Sequence, residues 1–372
     1  YMVAPALTRL NCPQGEFELQ RYPSRNREPL RAWCAADVLL LEATKASSVN
    51  TLVVNDDHGA LSLPLSASAM WTDSALAAEA LAQNSSLNDL PSPKVIWSTQ
   101  LPRLPVDRIV LRIPKQLPYF EFQLAQLATV MPAGTQLLCA GMDKHLSPHT
   151  AALMEQQLGP VERHRGRQKA RLFSATLPGE AVGPSPSEAS YHCDLIDQKL
   201  TGLANVFSRE KLDPGSRLML ETLRRAEPVA SVADLACGNG LLGIAALHFN
   251  LASSVLFADE SAMAIASARA NAARAARHDS EAAFHLGDGL QGIERKFDLI
   301  VCNPPFHLGH TVDDFAGRRL LQQAAHSLLP GGSLLLVANR HLDYAPSLQR
   351  LFRHAEVMAQ NAKFVVWRAR HS

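Results

Sequence analysis

The chemistry in this chain gathers where apolar runs end. The run Asp298-Leu-Ile-Val-Cys stops at Asn303-Pro304-Pro305-Phe306-His307. Two prolines after a strand fix a rigid, extended turn, and an amide followed by an aromatic is a costly way merely to end a strand. Held there, the Asn303 side-chain oxygen and the Pro304 carbonyl could accept both hydrogens of an exocyclic or amide nitrogen, while Phe306 offers a flat surface to a planar base. Upstream, Asp234-Leu-Ala-Cys237-Gly238-Asn239-Gly240 reads as a strand end opening into a helix, with glycines where the backbone must turn sharply beside a ligand. The next two runs end at Asp259, in Phe257-Ala-Asp-Glu-Ser261, and at Asp288, in Gly287-Asp-Gly289. An acid in the first place can accept both hydroxyls of a ribose, and one in the second an adenine amino group. Together they outline an adenosine pocket. It suits a nucleoside without phosphates, because Leu241 and Leu242 follow the last glycine directly and no Lys or Arg stands beside the turn.

These residues need a sheet to hold them. Strand-length apolar runs at 231–236, 254–258, 283–286, 297–302 and 333–338 alternate with helical patterns at 241–249, 262–277 and 318–329. Such alternation implies a parallel sheet covered on both faces. Residues 363–370 follow Val357 closely enough to predict a terminal antiparallel hairpin. A Gly-, Pro- and Ser-rich stretch at 177–190 reads as a linker or a long surface loop. The first half shadows the second: Asp107 to Pro114 has the pattern of Asp298 to Pro305, Met131 to Gly141 that of Leu329 to Asn339, and Thr51 to Ala60 that of Ser231 to Gly240. Three matches in one order at similar offsets point to a duplication, after which the first copy lost the Gly-x-Gly and the Asn-Pro-Pro-Phe.

The 372 residues suit two domains, 47% hydrophobic residues are ample for their cores, and 19% charged residues exclude a disordered, collagenous or coiled-coil chain. The formal net charge is only +1, so any nucleic-acid contact must come from local patches. One candidate is Arg163, Arg165, Arg167, Lys169 and Arg171, whose spacing predicts five side chains on one face of a strand. They would form a phosphate-contacting stripe; the alternative is an edge strand protected by charge. Arg318 and Arg319 read as ordinary helix surface. No apolar run reaches the roughly 18 residues of a membrane span and the start lacks a signal-peptide pattern, so a cytoplasmic chain with no membrane partner is expected. Six cysteines and fourteen histidines show no metal-ligand spacing, and neither a disulfide nor a metal is expected.

The acid followed by Gly-x-Gly resembles the class I S-adenosylmethionine-dependent methyltransferases. Asn303 to Phe306 resembles the signature of those that act on planar nitrogens: adenine N6, cytosine N4, glutamine N5 and guanine N2. With His307 next, and with Val206-Phe-Ser-Arg-Glu-Lys-Leu-Asp-Pro-Gly-Ser-Arg217 upstream, the chain resembles the ribosomal RNA guanine-N2 methyltransferases over essentially its whole length. Glu16 to Pro23 and the segment 26–41 look like the large-subunit branch of that family, departing from it at Cys34 and Val38, where acidic residues would stand.

The resemblance implies an α/β chain of two tandem class I methyltransferase-like (Rossmann-like) domains. Each would hold a seven-stranded, mostly parallel sheet with a terminal antiparallel hairpin. Residues 1–180 would be a degenerate RNA-recognition domain and residues 191–372 the catalytic one. The resemblance implies S-adenosylmethionine as cofactor, bound by Asp234, the turn Cys237, Gly238, Asn239 and Gly240, Asp259, Asp288 and Asn303, with 206–217 flanking its methionine end. Asn303, Pro304, Pro305 and Phe306 would hold the target base, a guanine of large-subunit (23S) ribosomal RNA, and the protein would be a monomer. The alternatives are a small-subunit (16S) guanine-N2, DNA adenine-N6 or protein glutamine-N5 methyltransferase and, from another class, an RNA-binding ribosome-assembly factor without activity.

Overall fold

The computed structural model describes residues 8–26, 28–45, 48–275, 280–305 and 315–371. It divides into two compact units, Tyr1–Ser187 and Glu188–Ser372. The first runs through β1 (Arg9–Cys12), β2 (Gly15–Glu18), α1 (Ala35–Ala43), β3 (Thr51–Val54), β4 (Ala69–Thr72), α2 (Ala75–Leu87) and β5 (Lys94–Trp97). It continues through β6 (Arg108–Arg112), α3 (Leu117–Val130), β7 (Gln136–Met142), α4 (Thr150–Leu158), β8 (Val161–Arg163) and β9 (Ala170–Thr176). The second begins with β10 (Ala189–Cys193), β11 (Gln198–Gly202), α5 (Pro214–Leu223), β12 (Ser231–Leu235), α6 (Leu241–His248), β13 (Ser254–Asp259) and α7 (Ala262–Ala275). It ends with β14 (Glu281–Leu286), β15 (Phe297–Cys302), α8 (Phe315–Ser327), β16 (Leu328–Asn339), α9 (Ala345–Leu351), β17 (His354–Gln360) and β18 (Phe364–Arg370).

Each unit is built on a seven-stranded sheet, ordered β5-β4-β3-β6-β7-β9-β8 in the first and β14-β13-β12-β15-β16-β18-β17 in the second. The two orders are the same, as a duplication requires. Five strands pair in parallel, and β9 or β18 runs antiparallel to both its neighbours. Central strands are buried along their whole length, as in Thr51–Val54 and Ser231–Leu235, because helices cover both sheet faces. In the second unit Met219, Ile244 and Phe257 pack on one face, and Phe297, Leu321 and Leu348 on the other. The chain leaves β12 for β13 on one side, while β15 lies on the other. That divergence opens a crevice at the carboxyl ends of β12 and β15, where ligands of such sheets bind. Among the described residues no helix is long and apolar enough to cross a membrane.

The strand expected at 333–338 is longer, beginning at Leu328, because Leu328 pairs with Phe297 across an irregularity that Gly331, at φ 79°, allows. The basic stretch departs further from expectation. Arg163 ends β8 and Arg171 lies on β9, but Arg165, Arg167 and Lys169 occupy the turn between them. Gln168 and Lys169 take φ of 50° and 60°, and Arg167 bridges to Ala170. A chain reversal breaks the two-residue period, so the five side chains line a hairpin and its tip, not one strand face.

Candidate functional site

At the end of β12 the Asp234 side chain is fully buried, and its Oδ2 accepts the Gly243 N–H at 2.8 Å. Its Oδ1 is buried with no hydrogen-bond partner among the described residues. Burial, reinforced by the charge of Asp259, pushes this carboxyl up to about 8. Asp234 therefore ties the strand to the first turn of α6. Between them Ala236, Gly238 and Gly240 take φ of 60°, 55° and 85°, the left-handed region that favours glycine. A Cβ on Gly240 would lie 3.0 Å from that of Ala268, and one on Gly243 would lie 2.4 Å from the Phe257 ring. These glycines let α6 approach its neighbours. At Gly238 an added Cβ would meet nothing within 4 Å: the turn is bare on its open side, as close approach by a ligand requires.

The Asp259 carboxylate accepts the N–H groups of Gly238 and Ser261, both at 2.9 Å. Cys237 and Asn239, expected among the cofactor contacts, use their side chains inward. Cys237 is buried, which raises its thiol well above the ordinary value. The Asn239 Oδ1 accepts the Leu241 N–H at 3.2 Å, and its Nδ2 donates to the Tyr191 hydroxyl at 3.2 Å. Asn271 donates to the Asn239 carbonyl at 2.8 Å. The Asp288 carboxylate, beyond β14, pairs with Arg319 of α8, and Gln323 donates to its Oδ1 at 3.3 Å. Arg319 is thus no ordinary surface residue, whereas Arg318 is exposed.

Asn303 stands just past β15. Its Nδ2 donates to Asp213 Oδ2 at 3.3 Å and to Ser216 Oγ at 2.9 Å, while its Oδ1 is buried with no partner among the described residues. Pro304 is buried and Pro305 exposed; Phe306 and His307 lie outside the described residues. Asp213 is the N-cap of α5 and accepts the Ser216 N–H at 2.8 Å. The sequence contained a signal for this cap, Asp-Pro-Gly-Ser, but not for its proximity to Asn303.

The matching positions of the first unit are closed. Asp56 accepts the N–H groups of Gly59, Leu61 and Ser62 at 3.0, 3.0 and 2.7 Å, so the turn after β3 is filled by its own side chain. Arg112 takes the place of Asn303 at the end of β6 and pairs with Asp37 of α1. A guanidinium has no acceptor to offer. In the basic hairpin, Arg163 pairs with Glu155 at 3.2 Å, Arg167 with Glu42 at 2.6 Å and Arg171 with Asp143 at 2.6 Å. Arg165 and Lys169 are exposed and belong to none of these pairs. Among the described residues no cluster of His, Cys, Asp and Glu could hold a metal ion.

An open glycine turn between strand-end acids, with a half-buried amide whose oxygen has no partner among the described residues, places the second unit among the class I methyltransferase folds. Residues 197–368 match the methyltransferase small domain family, and residues 7–179 match the RLMG N-terminal domain family. The chain is 42% identical to the ribosomal RNA large subunit methyltransferase G of Alcanivorax borkumensis, over 97% of each chain. To that of Pseudomonas putida F1 it is 39% identical, over 97% of this chain and 99% of the relative. The chain belongs to the ribosomal RNA large subunit methyltransferase G family. A solved T. thermophilus 16S rRNA N2 methyltransferase in complex with AdoMet and guanosine shares the fold across 98% of both chains, with TM-score 0.77 and 23% identity.

Proposed function

We propose that this protein transfers a methyl group from S-adenosylmethionine to the exocyclic N2 of a guanine in large-subunit ribosomal RNA. The observation that carries the proposal is the buried Asn303 Oδ1, which has no partner among the described residues, since leaving a buried acceptor unpaired is costly unless something completes it. The residues present fit the cofactor: the bare side of Gly238 admits it, Asp259 would hold its ribose hydroxyls, and Asp288 would accept from its adenine amino group. When bound, the cofactor supplies an electrophilic methyl group on a sulfonium. Asn303 Oδ1 would accept an N–H of the target amine and orient its lone pair, an interaction that strengthens as the nitrogen becomes tetrahedral. The rigid Pro304-Pro305 turn would hold that amide in place. No strong base is needed, because the amine's proton becomes acidic once nitrogen carries positive charge.

In this reading the units divide the labour. The first has closed its turn and replaced Asn303 by Arg112, and it presents a basic hairpin suited to RNA phosphates. A protein target would not need that hairpin, and an RNA-binding assembly factor would have no use for a spare amide oxygen. The test is mass mapping of ribosomal RNA from cells with and without the gene, complemented by wild type or Asn303→Ala. A guanine N2-methyl group of large-subunit RNA should be absent without the gene, restored by wild type and not by the variant. Purified Asn303→Ala should retain its cofactor affinity. Restoration by the variant removes the mechanism.

A further inference from the structure

We propose that Asp213 and Ser216, at the start of α5, are positioning residues that fix the orientation of the Asn303 amide so that its oxygen, and not its nitrogen, faces the target amine. The inference rests on the assignment of Asn303 as the group that holds that amine. A primary amide has two orientations of nearly equal shape, related by a half-turn, and only hydrogen bonding distinguishes them. Here the distinction is sharp. Nδ2 donates to the Asp213 carboxylate at 3.3 Å and to Ser216 Oγ at 2.9 Å, and an ionised carboxylate is an acceptor only. Turning the amide over would set Oδ1 against that carboxylate and aim an N–H₂ group at the amine, donor against donor.

The carboxylate is itself held in place. Its Oδ2 accepts the Ser216 N–H at 2.8 Å, and a Cβ on Gly215 would lie 3.0 Å from the same oxygen and 2.9 Å from the Phe364 ring. Only glycine leaves room there for both. The first unit repeats the arrangement: Asp37 is the third residue of α1, as Ser216 is of α5, and it pairs with Arg112 at the place of Asn303. In both units a polar side chain at the helix start grips the strand end, but among the described residues only the second has an acceptor there without a partner.

Asp213→Ser keeps the helix cap, since Ser caps as well as Asp, but its one hydroxyl oxygen both donates and accepts and so lets either orientation of Asn303 find a partner. With unmodified large-subunit ribosomal RNA and saturating S-adenosylmethionine, its single-turnover rate should fall about tenfold or more. Ser216→Ala, which spares the cap's backbone bond, should lower the rate about two- to tenfold. Cofactor affinity should stay within about twofold, and the melting temperature within about 2 °C. Without substrate or cofactor, the Asn303 side-chain amide protons, followed by ¹⁵N NMR, should exchange faster in Asp213→Ser.

The sign of coupling separates orientation from simple capping. Asn303→Asp alone sets two carboxylates against each other, and adding Asp213→Ser supplies a hydroxyl donor to the new one. The double variant should therefore outpace Asn303→Asp, although Asp213→Ser slows the wild type. A wild-type rate in both Asp213→Ser and Ser216→Ala, or a slowing by Asp213→Ser in both backgrounds, leaves Asp213 a helix cap and overturns the inference. Undiminished turnover in Asn303→Ala would instead remove the underlying assignment of Asn303.

Discussion

Asp259 accepts the Gly238 N–H at 2.9 Å, so the acid at the end of β13 and the glycine turn after β12 form one hydrogen-bonded unit. A carboxylate has about four acceptor sites, so it can brace the turn and hold a ribose together. Asp259→Ala should weaken S-adenosylmethionine binding at least tenfold, since each charge-assisted bond is worth about 1.5–3 kcal/mol, while RNA affinity stays unchanged. Isothermal titration measures the first and filter binding the second. Unaltered cofactor affinity in a folded variant rules out the ribose assignment.

Asp234 gives stability a pH dependence of unusual sign. Burial, with the charge of Asp259 adding to it and the Gly243 N–H opposing, pushes its carboxyl up to about 8; in the unfolded chain the value is about 3.9. Between these values the folded state keeps a proton that the unfolded state has lost, so this contribution to stability is complete below about pH 4 and disappears as pH rises through about 8. Asp234→Asn should flatten that part of the profile. Melting temperatures of both proteins across the window provide the comparison, and identical slopes would show that Asp234 titrates normally.

Gly243 permits close packing of α6 on β13. An added methyl group would sit 2.4 Å from the Phe257 ring, and overpacking of this kind typically costs about 1–3 kcal/mol. Gly243→Ala should lower the melting temperature by several degrees and weaken cofactor binding, because α6 and the Gly238 turn shift together. Gly292→Ala gives a contrast: its Cβ meets nothing within 4 Å, although its φ of 80° still imposes strain. A Gly243→Ala protein with wild-type melting and affinity would contradict the packing account.

Arg165 and Lys169, outside the hairpin's ion pairs, should dominate its electrostatic contact with RNA. Reversal of both charges should weaken RNA binding and lower the slope of log affinity against log salt by about 1.4, at roughly 0.7 per single-strand phosphate contact. Reversing Arg163 and Arg171, already paired with Glu155 and Asp143, should change the slope less. Equal effects from both pairs would mean that the hairpin acts through its net charge alone.

Much of this was legible in one dimension. Alternating apolar runs and helical patterns dictated the parallel order, since strands buried on both faces must be apolar throughout. The strand-end acids, the glycine turn and Asn303-Pro304-Pro305 were visible because each lies within a few residues of its element's end. Period-two spacing misled at 163–171, because a two-residue pattern cannot register the reversal at Gln168 and Lys169.

The relationships between distant segments were settled only in three dimensions. Asp213 and Asn303 meet because α5 packs on the sheet beside β16 and β18, which brings its N-cap to the end of β15. Arg319 and Asp288 meet because α8 returns along the opposite sheet face. The inward use of Cys237 and Asn239 depends on Ala258, Tyr191 and Asn271, residues from three other elements. Sequence thus determined which functional groups are present and at which strand ends they stand. Which oxygen is left without a partner is a property of packing, because a hydrogen bond depends on distance and direction, and neither is encoded by separation along the chain.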